Sequence, residues 1–419
     1  MVQSSTLENG IRVVTEQISA AHSVAIGFWV ESGSRHEKLS ENGISHFVEH
    51  MLFKGTDRRS AQDIAREIDS VGGVLNAFTG REFSCYFAKV LAKKLPLAID
   101  LLSDIVLASV FDPDEIEKER RVILQEIHMV EDTPEDLVHD LFSQSFWEGH
   151  PLGLSVLGTA DTVGRISREG LLGYMSERYC GKSILISAAG DLVHQDIVDE
   201  VAAAFSRVPA GSERPLCPLH NYRRCVGVVE KDLEQVHLCL GTRALPQNHP
   251  KRFAAHILNT LLGGSMSSRL FQTVREERGL AYSIYSYLHG HTDAGGLVIY
   301  AGTAPEDASE VVNLVLRELR RLKRETVSDE ELRSAKEQLK GNLMLSMEST
   351  DSRMTRLAKN EIYLGKYLSL REVLRGFDRV TREDLRDLAD YMLQDEYLNL
   401  QLLGRVRESE FPSDSLNLS

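Results

Sequence analysis

Residues 209–218 read PAGSERPLCP, and this stretch divides the chain into two halves. Its three prolines and one glycine cannot continue a helix or pair in the centre of a sheet, so the stretch predicts a linker. A chain of 419 residues is also too long for one ordinary hydrophobic core. We therefore predict an N-terminal domain at 1–208, a linker at 209–224 and a C-terminal domain at 225–419.

The two halves share one predicted order of strands and helices. Before the linker, the patterns predict a strand at 23–31, a helix from 43, strands at 74–78 and 84–90, helices at 94–107 and from 113, a helix ending near 179 and a strand at 183–189. After the linker, they predict a strand at 236–240, a helix at 251–262, strands at 281–288 and 296–303, helices at 306–322 and from 328, a helix ending near 393 and a strand at 398–403. The order and the close hairpins predict an α+β fold of two similar halves, each a largely antiparallel sheet packed with helices.

The composition is that of a globular protein with an acidic surface. The chain has 62 Asp and Glu against 48 Lys and Arg, a net charge of -14, which argues against a nucleic-acid-binding protein. Its five cysteines form no C-x-x-C pair, so we expect no disulfide framework, and Cys85 and Cys239 lie in apolar runs typical of the core. Residues 1–6 lack the features of a targeting peptide, and no apolar run approaches the roughly 18 residues of a membrane span. A cytoplasmic location is therefore expected.

The motif H-x-x-E-H occurs at residues 46–50, HFVEH, in the first half. On a helix, His46, Glu49 and His50 share one face, and two imidazoles one turn apart can bind one zinc ion. Glu49 can then reach a water activated by the metal and take its proton during attack on an amide. The alternative is a pair of exposed helix histidines beside a solvated glutamate.

A catalytic zinc ion needs a third protein ligand, and the helix predicted from 113 offers candidates. Glu119 and Glu126 are seven residues apart and share one face of that helix. Glu126 lies among apolar residues, where a carboxylate needs a partner or a metal. The alternative is an ordinary charged helix face.

The second half is an internal control for these charges. Where the first half has Glu119 and Glu126, the matching helix of the second half has Ala335 and Asn342. The stretch that matches the motif reads HILNT at 256–260. Apart from His256, which stands in the place of His46, the set is lost together while the scaffold remains, which favours a site over unrelated surface charges.

In these residues the chain resembles the pitrilysin-type metallopeptidases, whose motif is the inverted H-x-x-E-H. Within that family it resembles the branch of mitochondrial processing peptidase β subunits and single-unit bacterial peptidases. Members have a zinc-binding glutamate at the spacing found here, 76 residues from His50 to Glu126. The resemblance implies one zinc ion per chain bound by His46, His50 and Glu126, with Glu49 as the catalytic base and Glu119 in support. It spans nearly the whole chain, including GSRHE at 33–37 and FKGT at 53–56.

The resemblance also implies functional residues in the second half. Arg275 and Tyr282 resemble a pair that the family's C-terminal half contributes to the active site, and both side chains are suitable donors to an oxyanion or a substrate carbonyl. Taken alone, Arg275 would be a helix-surface charge and Tyr282 a half-buried strand aromatic. The glycine-rich stretch 262–269 resembles a family loop, and no lysine follows it as in a phosphate-binding loop.

The same resemblance suggests how a peptide substrate is held. Asn76, Ala77 and Phe78 resemble the family's substrate-binding edge strand, which a peptide can join as an added strand. Asp136 and Asp140 match acidic positions that read a substrate arginine in the mitochondrial β subunit. The alternative for these two acids is a solvated helix face.

The expected function is a zinc-dependent endopeptidase acting on short or unfolded peptides, since the family encloses its substrates between two halves. If the match of Asp136 and Asp140 carries over, cleavage is expected near basic residues. One chain of this length supplies half of such a chamber, so we expect a homodimer whose active site is completed in trans. The alternative is a non-catalytic or partner-dependent subunit of a processing-peptidase-like complex. Cobalt and manganese also accept two histidines and a carboxylate, so they remain alternatives to zinc.

Overall fold

A computed structural model describes residues 1–212, 217 and 222–418. Part of the predicted linker, 213–216 and 218–221, lies outside these residues. The strands are β1 Val2–Thr6, β2 Arg12–Gln17, β3 Ser23–Val30, β4 Val74–Thr79, β5 Ser84–Leu91, β6 Ile184–Gly190, β7 Cys225–Glu230, β8 Val236–Arg243, β9 Ala281–Gly290, β10 Gly295–Thr303 and β11 Asn399–Gly404. The helices are α1 Ile44–Leu52, α2 Ala61–Ser70, α3 Leu95–Ala108, α4 Pro113–Glu131, α5 Pro134–Phe146, α6 Ala160–Arg165, α7 Arg168–Arg178, α8 His194–Ala204, α9 Arg252–Leu262, α10 Ala308–Arg324, α11 Asp329–Ser346, α12 Thr350–Leu364, α13 Leu370–Arg379 and α14 Arg382–Met392.

The strands form two sheets of matching topology. The first has the order β1-β2-β6-β3-β5-β4 and the second the order β7-β11-β8-β10-β9. In each sheet one parallel pair, β2–β6 or β7–β11, is followed by three antiparallel pairs. The predicted α+β fold of two similar, largely antiparallel halves is confirmed.

Strand β3 shows why the first sheet is covered on both faces. Its side chains alternate between the two faces, as a strand requires. Val24, Ile26 and Phe28 join one large apolar cluster with the helices α1 and α3. Ala25 and Trp29 point to the opposite face, where α12 covers them. A strand buried on both sides reads as a continuous apolar run, which is the SVAIGFWV of the sequence.

Two helices do not belong to the unit that their place in the sequence suggests. By contacts, one compact unit contains residues 1–129, 154–217 and 345–367, and the other contains 130–153, 218–344 and 368–419. Helix α12 therefore packs on the first sheet through Met354 and Leu357. Helix α5 packs on the second sheet through Val138 and Phe142. The domain boundaries predicted at 208 and 225 stay a prediction.

The sequence patterns missed the first two strands, β1 and β2. Strand β1 is polar and mostly exposed, so it has no apolar alternation, and β2, RVVTEQ, has only two adjacent apolar residues. Cys85 and Cys239 are fully buried, as predicted. In the part of the chain that the structure describes, no helix is long and apolar enough to cross a bilayer.

Candidate metal centre

Helix α1 carries the H-x-x-E-H motif and begins at a glycine. Gly43 has a φ of 95°, a conformation that side chains other than glycine rarely adopt, and it also packs closely against Leu157. From this turn the helix places His46, Glu49 and His50 on one side. The rings of the two histidines are 4.6 Å apart between centroids.

Helix α4 brings Glu126 to the two histidines. Its Oε2 atom is 3.7 Å from Nε2 of His46 and 3.7 Å from Nε2 of His50. One ligand atom from each of the three residues lies within 4.8 Å of the others. These separations are too long for hydrogen bonds, but they are close to the ~3.3 Å edge of a tetrahedron with zinc-ligand bonds of about 2.0–2.1 Å. Two imidazole nitrogens and a carboxylate oxygen therefore fit a divalent zinc ion.

Within the described residues, this is the one group of three or more His, Cys, Asp or Glu side chains that meet in this way. In the second half, Thr260 of α9 and Ala335 of α11 instead line a polar cavity with the side chains of Arg269 and Glu331. Neither threonine nor alanine supplies the imidazole and carboxylate ligands that zinc prefers.

Burial keeps His46 neutral. Its pKa is lowered to about 3, first because it is desolvated and second because His50 is close. A neutral imidazole retains a lone pair for a metal ion. Its Nδ1 atom is buried without a hydrogen-bond partner among the described residues, so packing alone orients this ring.

His50 is instead oriented by a buried carboxylate. Its Nδ1 donates to Oε2 of Glu119 over 2.9 Å, which leaves Nε2 directed at Glu126. The other oxygen of Glu119, Oε1, is 2.7 Å from Nζ of Lys54. Glu119 is only 5% exposed, and a buried carboxylate requires such donors. No role for Lys54 was predicted from the sequence. The signal available in the sequence was that Glu119, if buried, would need a cation nearby.

The loop that carries Lys54 is fixed to α3. Asp104 is buried and accepts hydrogen bonds from Oγ1 of Thr56 at 2.7 Å, from Nε of Arg58 at 2.9 Å and from Nη1 of Arg59 at 2.8 Å. Arg59 also pairs with Glu67. Because several charged groups hold this loop, Lys54 reaches Glu119 from a rigid position.

Glu49 lies between the metal ligands and the edge of the first sheet. Burial raises the pKa of this carboxyl group, and a hydrogen bond from Oγ1 of Thr79 to its Oε2 opposes the rise. Thr79 is the last residue of β4. A half-buried carboxylate in this place can accept a proton beside the metal ligands.

Strand β4 is an edge strand, because among the described residues it pairs only with β5. Of the three β4 residues predicted to bind substrate, Ala77 faces the apolar cluster beneath α1. Asn76 and Phe78 lie on the opposite face, where the Phe78 ring is 5.6 Å from that of Trp29. The Oδ1 of Asn76 accepts a hydrogen bond of 2.8 Å from the backbone N–H of Ala77.

Arg275 and Tyr282 belong to the other compact unit and lie next to each other there. The guanidinium of Arg275 lies over the rings of Phe271 and Tyr282, 4.8 Å from each centroid. Tyr282 is 79% exposed, so the expectation of a half-buried strand aromatic is wrong. Arg275 also lines a pocket with Gly263, Gly264 and Ser265 of the glycine-rich stretch.

Asp136 and Asp140 lie one turn apart on α5 in the same unit as Arg275. Among the described residues neither forms an ion pair with a lysine or arginine. Burial lowers the pKa of the neighbouring His139, and the charges of Glu135, Asp136 and Asp140 oppose this shift. These acids are therefore available to a cationic group.

Comparisons with known proteins identify the family of this chain. Residues 12–160 match the family model described as insulinase (peptidase family M16), and residues 165–339 match the peptidase M16 inactive domain. The chain is 42% identical over 402 residues to an uncharacterized zinc protease of Bacillus subtilis, covering 95% of this chain and 97% of that protein. It is 39% identical over 417 residues to an uncharacterized zinc protease of Streptomyces coelicolor, covering 98% and 91%.

Two solved structures share the fold. A protease from Helicobacter pylori has a TM-score of 0.88 and 22% identity, with 96% of this chain and 99% of that chain covered. A peptidase M16 inactive domain from Pseudomonas fluorescens has a TM-score of 0.91 and 19% identity, with 97% and 98% covered. The first family-model match contains the motif, and the second contains α9, where HILNT stands in the place of the motif.

We predict that Lys54→Met weakens metal binding about 10–100-fold, because Glu119 would lose its cation and hold His50 less firmly. Competition with a chromophoric chelator measures the affinity. Lys118→Met is the matched control, since Lys118 is an exposed lysine beside Glu119 that pairs with Glu115. Equal affinities for the two variants would contradict the role given to Lys54.

Proposed function

Because the chain belongs to peptidase family M16, we propose that it is a zinc-dependent endopeptidase that hydrolyses short or unfolded peptides. The observation that carries the proposal is the meeting of His46, His50 and Glu126 beside Glu49, at the edge strand of the first sheet. A non-enzymatic scaffold would gain nothing from this set, since each buried charge costs free energy unless it is paired.

The proposed ligands are His46, His50 and Glu126, with one zinc ion per chain. Bound zinc would act as a Lewis acid and lower the pKa of a water to about 7. Glu49 would accept a proton from the attacking water and pass it to the departing amine. Glu119 keeps His50 in the tautomer that offers Nε2, and Lys54 holds Glu119.

The substrate binds as an added strand along the free edge of β4. Backbone pairing there gives affinity with little demand on sequence, and side-chain pockets supply preference. Because Thr79 at the end of β4 bonds to Glu49, a peptide on this edge passes next to the base. Extended backbone is required for such pairing, which favours short or unfolded peptides.

Arg275 and Tyr282 complete the site by donating hydrogen bonds to the substrate carbonyl and its oxyanion. Stacking between Phe271 and Tyr282 restricts the Arg275 guanidinium, and the exposed Tyr282 hydroxyl is free to contact a ligand. In our proposal the chain forms a homodimer, and the two residues act on the metal centre of the partner.

We also propose a relation to processing peptidase β subunits, because Asp136 and Asp140 match acidic positions of that branch. Within the described residues, their carboxylates form no ion pair and lie on one turn of α5. Such carboxylates suit an arginine near the scissile bond of the substrate. The proposal therefore includes a preference for basic peptides.

We predict that Glu49→Gln lowers peptide cleavage by about 10²–10⁴-fold while the zinc content stays that of wild type, because glutamine cannot accept the proton. His50→Ala should lose the metal. Hydrolysis of a quenched basic peptide by the purified chain alone, together with metal analysis, measures both effects. Glu41→Gln, a nearby surface substitution, is the control, and unchanged turnover in Glu49→Gln would contradict the mechanism.

A mixing experiment tests the active site completed in trans. Glu49→Gln and Tyr282→Phe chains, each inactive alone, should recover about a quarter of wild-type activity after mixing and exchange, because random pairing in a symmetric dimer regenerates that share of intact sites. Each chain mixed with itself is the control. A mixture that stays inactive while exchange of labelled subunits is observed would rule out the trans arrangement.

The basic preference is tested with paired peptides that differ in one arginine or glutamine. Asp136→Asn combined with Asp140→Asn should lower kcat/KM about tenfold for the arginine peptide and leave the glutamine peptide unchanged, because two charge contacts are lost. Asp132→Asn, an exposed acid outside α5, is the control. An equal loss with both peptides would assign these acids to folding rather than recognition.

A further inference from the structure

We propose that residues 33–37, GSRHE, are a positioning element that holds the metal helix α1 in a fixed place relative to the substrate strand β4. This inference rests on the proposed function and adds to it residues that contact neither metal nor substrate. One end of the 33–37 segment binds the first turn of α1. The other end packs on the turn that connects β4 to β5.

Glu37 makes the contact with α1. Its Oε2 accepts hydrogen bonds from the backbone N–H of Gly43 at 2.8 Å and from Nδ2 of Asn42 at 2.9 Å, and its Oε1 accepts one from the N–H of Ser45 at 2.8 Å. The residue is only 7% exposed. The first N–H groups of a helix need acceptors, and the residue at the N-cap, a glycine, has no side chain to supply one. Glu37 supplies the acceptor from outside the helix.

This contact fixes the turn on which the first metal ligand stands, because Ser45 immediately precedes His46. The hydroxyl of Ser45 also lies 2.7 Å from the hydroxyl of Tyr174, which is 2.9 Å from Oγ of Ser32. Ser32 directly precedes the 33–37 segment. The rotation of α1 is therefore set by two hydrogen-bonded paths to the same stretch of chain.

At the other end, Arg35 and Gly33 contact the β4–β5 turn. The N–H of Arg35 donates to the carbonyl of Arg81 at 2.8 Å, and its Nη1 is 2.8 Å from Oε1 of Glu82. Both side chains of this ion pair are buried, with exposures of 0% and 5%. A Cβ atom on Gly33 would lie 2.2 Å from the carbonyl oxygen of Gly80, so the backbones touch and no side chain fits.

The turn contacted in this way starts at Gly80, directly after Thr79. Two links therefore join the end of β4 to α1: the direct hydrogen bond from Thr79 to Glu49, and the path through the 33–37 segment. In the proposed reaction the scissile carbonyl lies along β4, and two of the three proposed metal ligands, His46 and His50, lie on α1. An error of about 1 Å between reacting groups can cost about 10²-fold in rate, so a second link has a functional use.

Two substitutions test the two ends of the segment. Glu37→Gln keeps the shape of the side chain but places an NH2 group against the N–H donors at the start of α1. Gly33→Ala pushes the segment away from the β4–β5 turn. Each should lower kcat per bound zinc ion about 10–100-fold, with KM within about twofold of wild type and normal zinc content. Glu318→Gln is the matched control, because Glu318 is an equally buried carboxylate on α10 in the other unit.

The two substitutions should also be coupled. Because both act on one path, the double variant should lose less activity than the product of the two single losses. If activity per bound zinc ion is unchanged and only the unfolding temperature falls, the segment has a merely structural role and the inference is overturned. If the double variant loses activity by the full product of the two single losses, the substitutions act independently and the inference is overturned as well.

A spectroscopic readout separates this inference from the proposed function. In cobalt-loaded Glu49→Gln, which should not cleave, a bound basic peptide should change the visible absorption of cobalt. In the cobalt-loaded double variant Glu49→Gln and Glu37→Gln, the peptide should bind with an unchanged Kd but cause a several-fold smaller change in the visible absorption. If the wild-type chain cleaves no peptide, the proposed function fails. Unequal spectral changes in the two cobalt-loaded variants would still support the inference. Equal changes, or no change in either protein, overturn it.

Discussion

The metal helix α1 depends on buried carboxylates that hold it near both ends. Glu37 accepts the backbone donors of its first turn, and Glu119 holds His50 in its last turn. A buried carboxylate is costly unless donors surround it, so each of these groups enforces one arrangement of its neighbours. Asp104 does the same for the loop that follows α1. The geometry of the metal centre is therefore fixed by buried carboxylates that themselves require hydrogen-bond donors or cations.

The second half shows that the fold itself does not require these charges. Its sheet repeats the strand order of the first and is built on an apolar cluster of its own. At positions equivalent to the site it has Thr260 and Ala335, which leave a polar cavity. Since the scaffold is complete without the constellation, the cost of burying His46, Glu49 and Glu119 in the first half is most simply understood as a requirement of chemistry.

The sequence predicted the structure best where a residue type or a spacing is compatible with few local arrangements. The spacing of the motif puts His46 and His50 on one helix face, and the repeated order of elements gave the fold class. The sequence could not assign α12 to the first sheet, because the pattern of an amphipathic helix does not specify which apolar surface the helix covers. Lys54 and Glu37 were missed since their roles depend on tertiary neighbours, Glu119 in one case and the start of α1 in the other.

An open edge strand beside a rigid centre limits how tightly a peptide is held. The N–H of Ala77 on β4 already has an acceptor in Oδ1 of Asn76. A peptide carbonyl that pairs there replaces one hydrogen bond by another, and the net gain from such an exchange is small. Affinity must then come from the rest of the strand and from side-chain pockets. Weak pairing at Ala77 favours release of products, which is compatible with the peptidase activity that we propose.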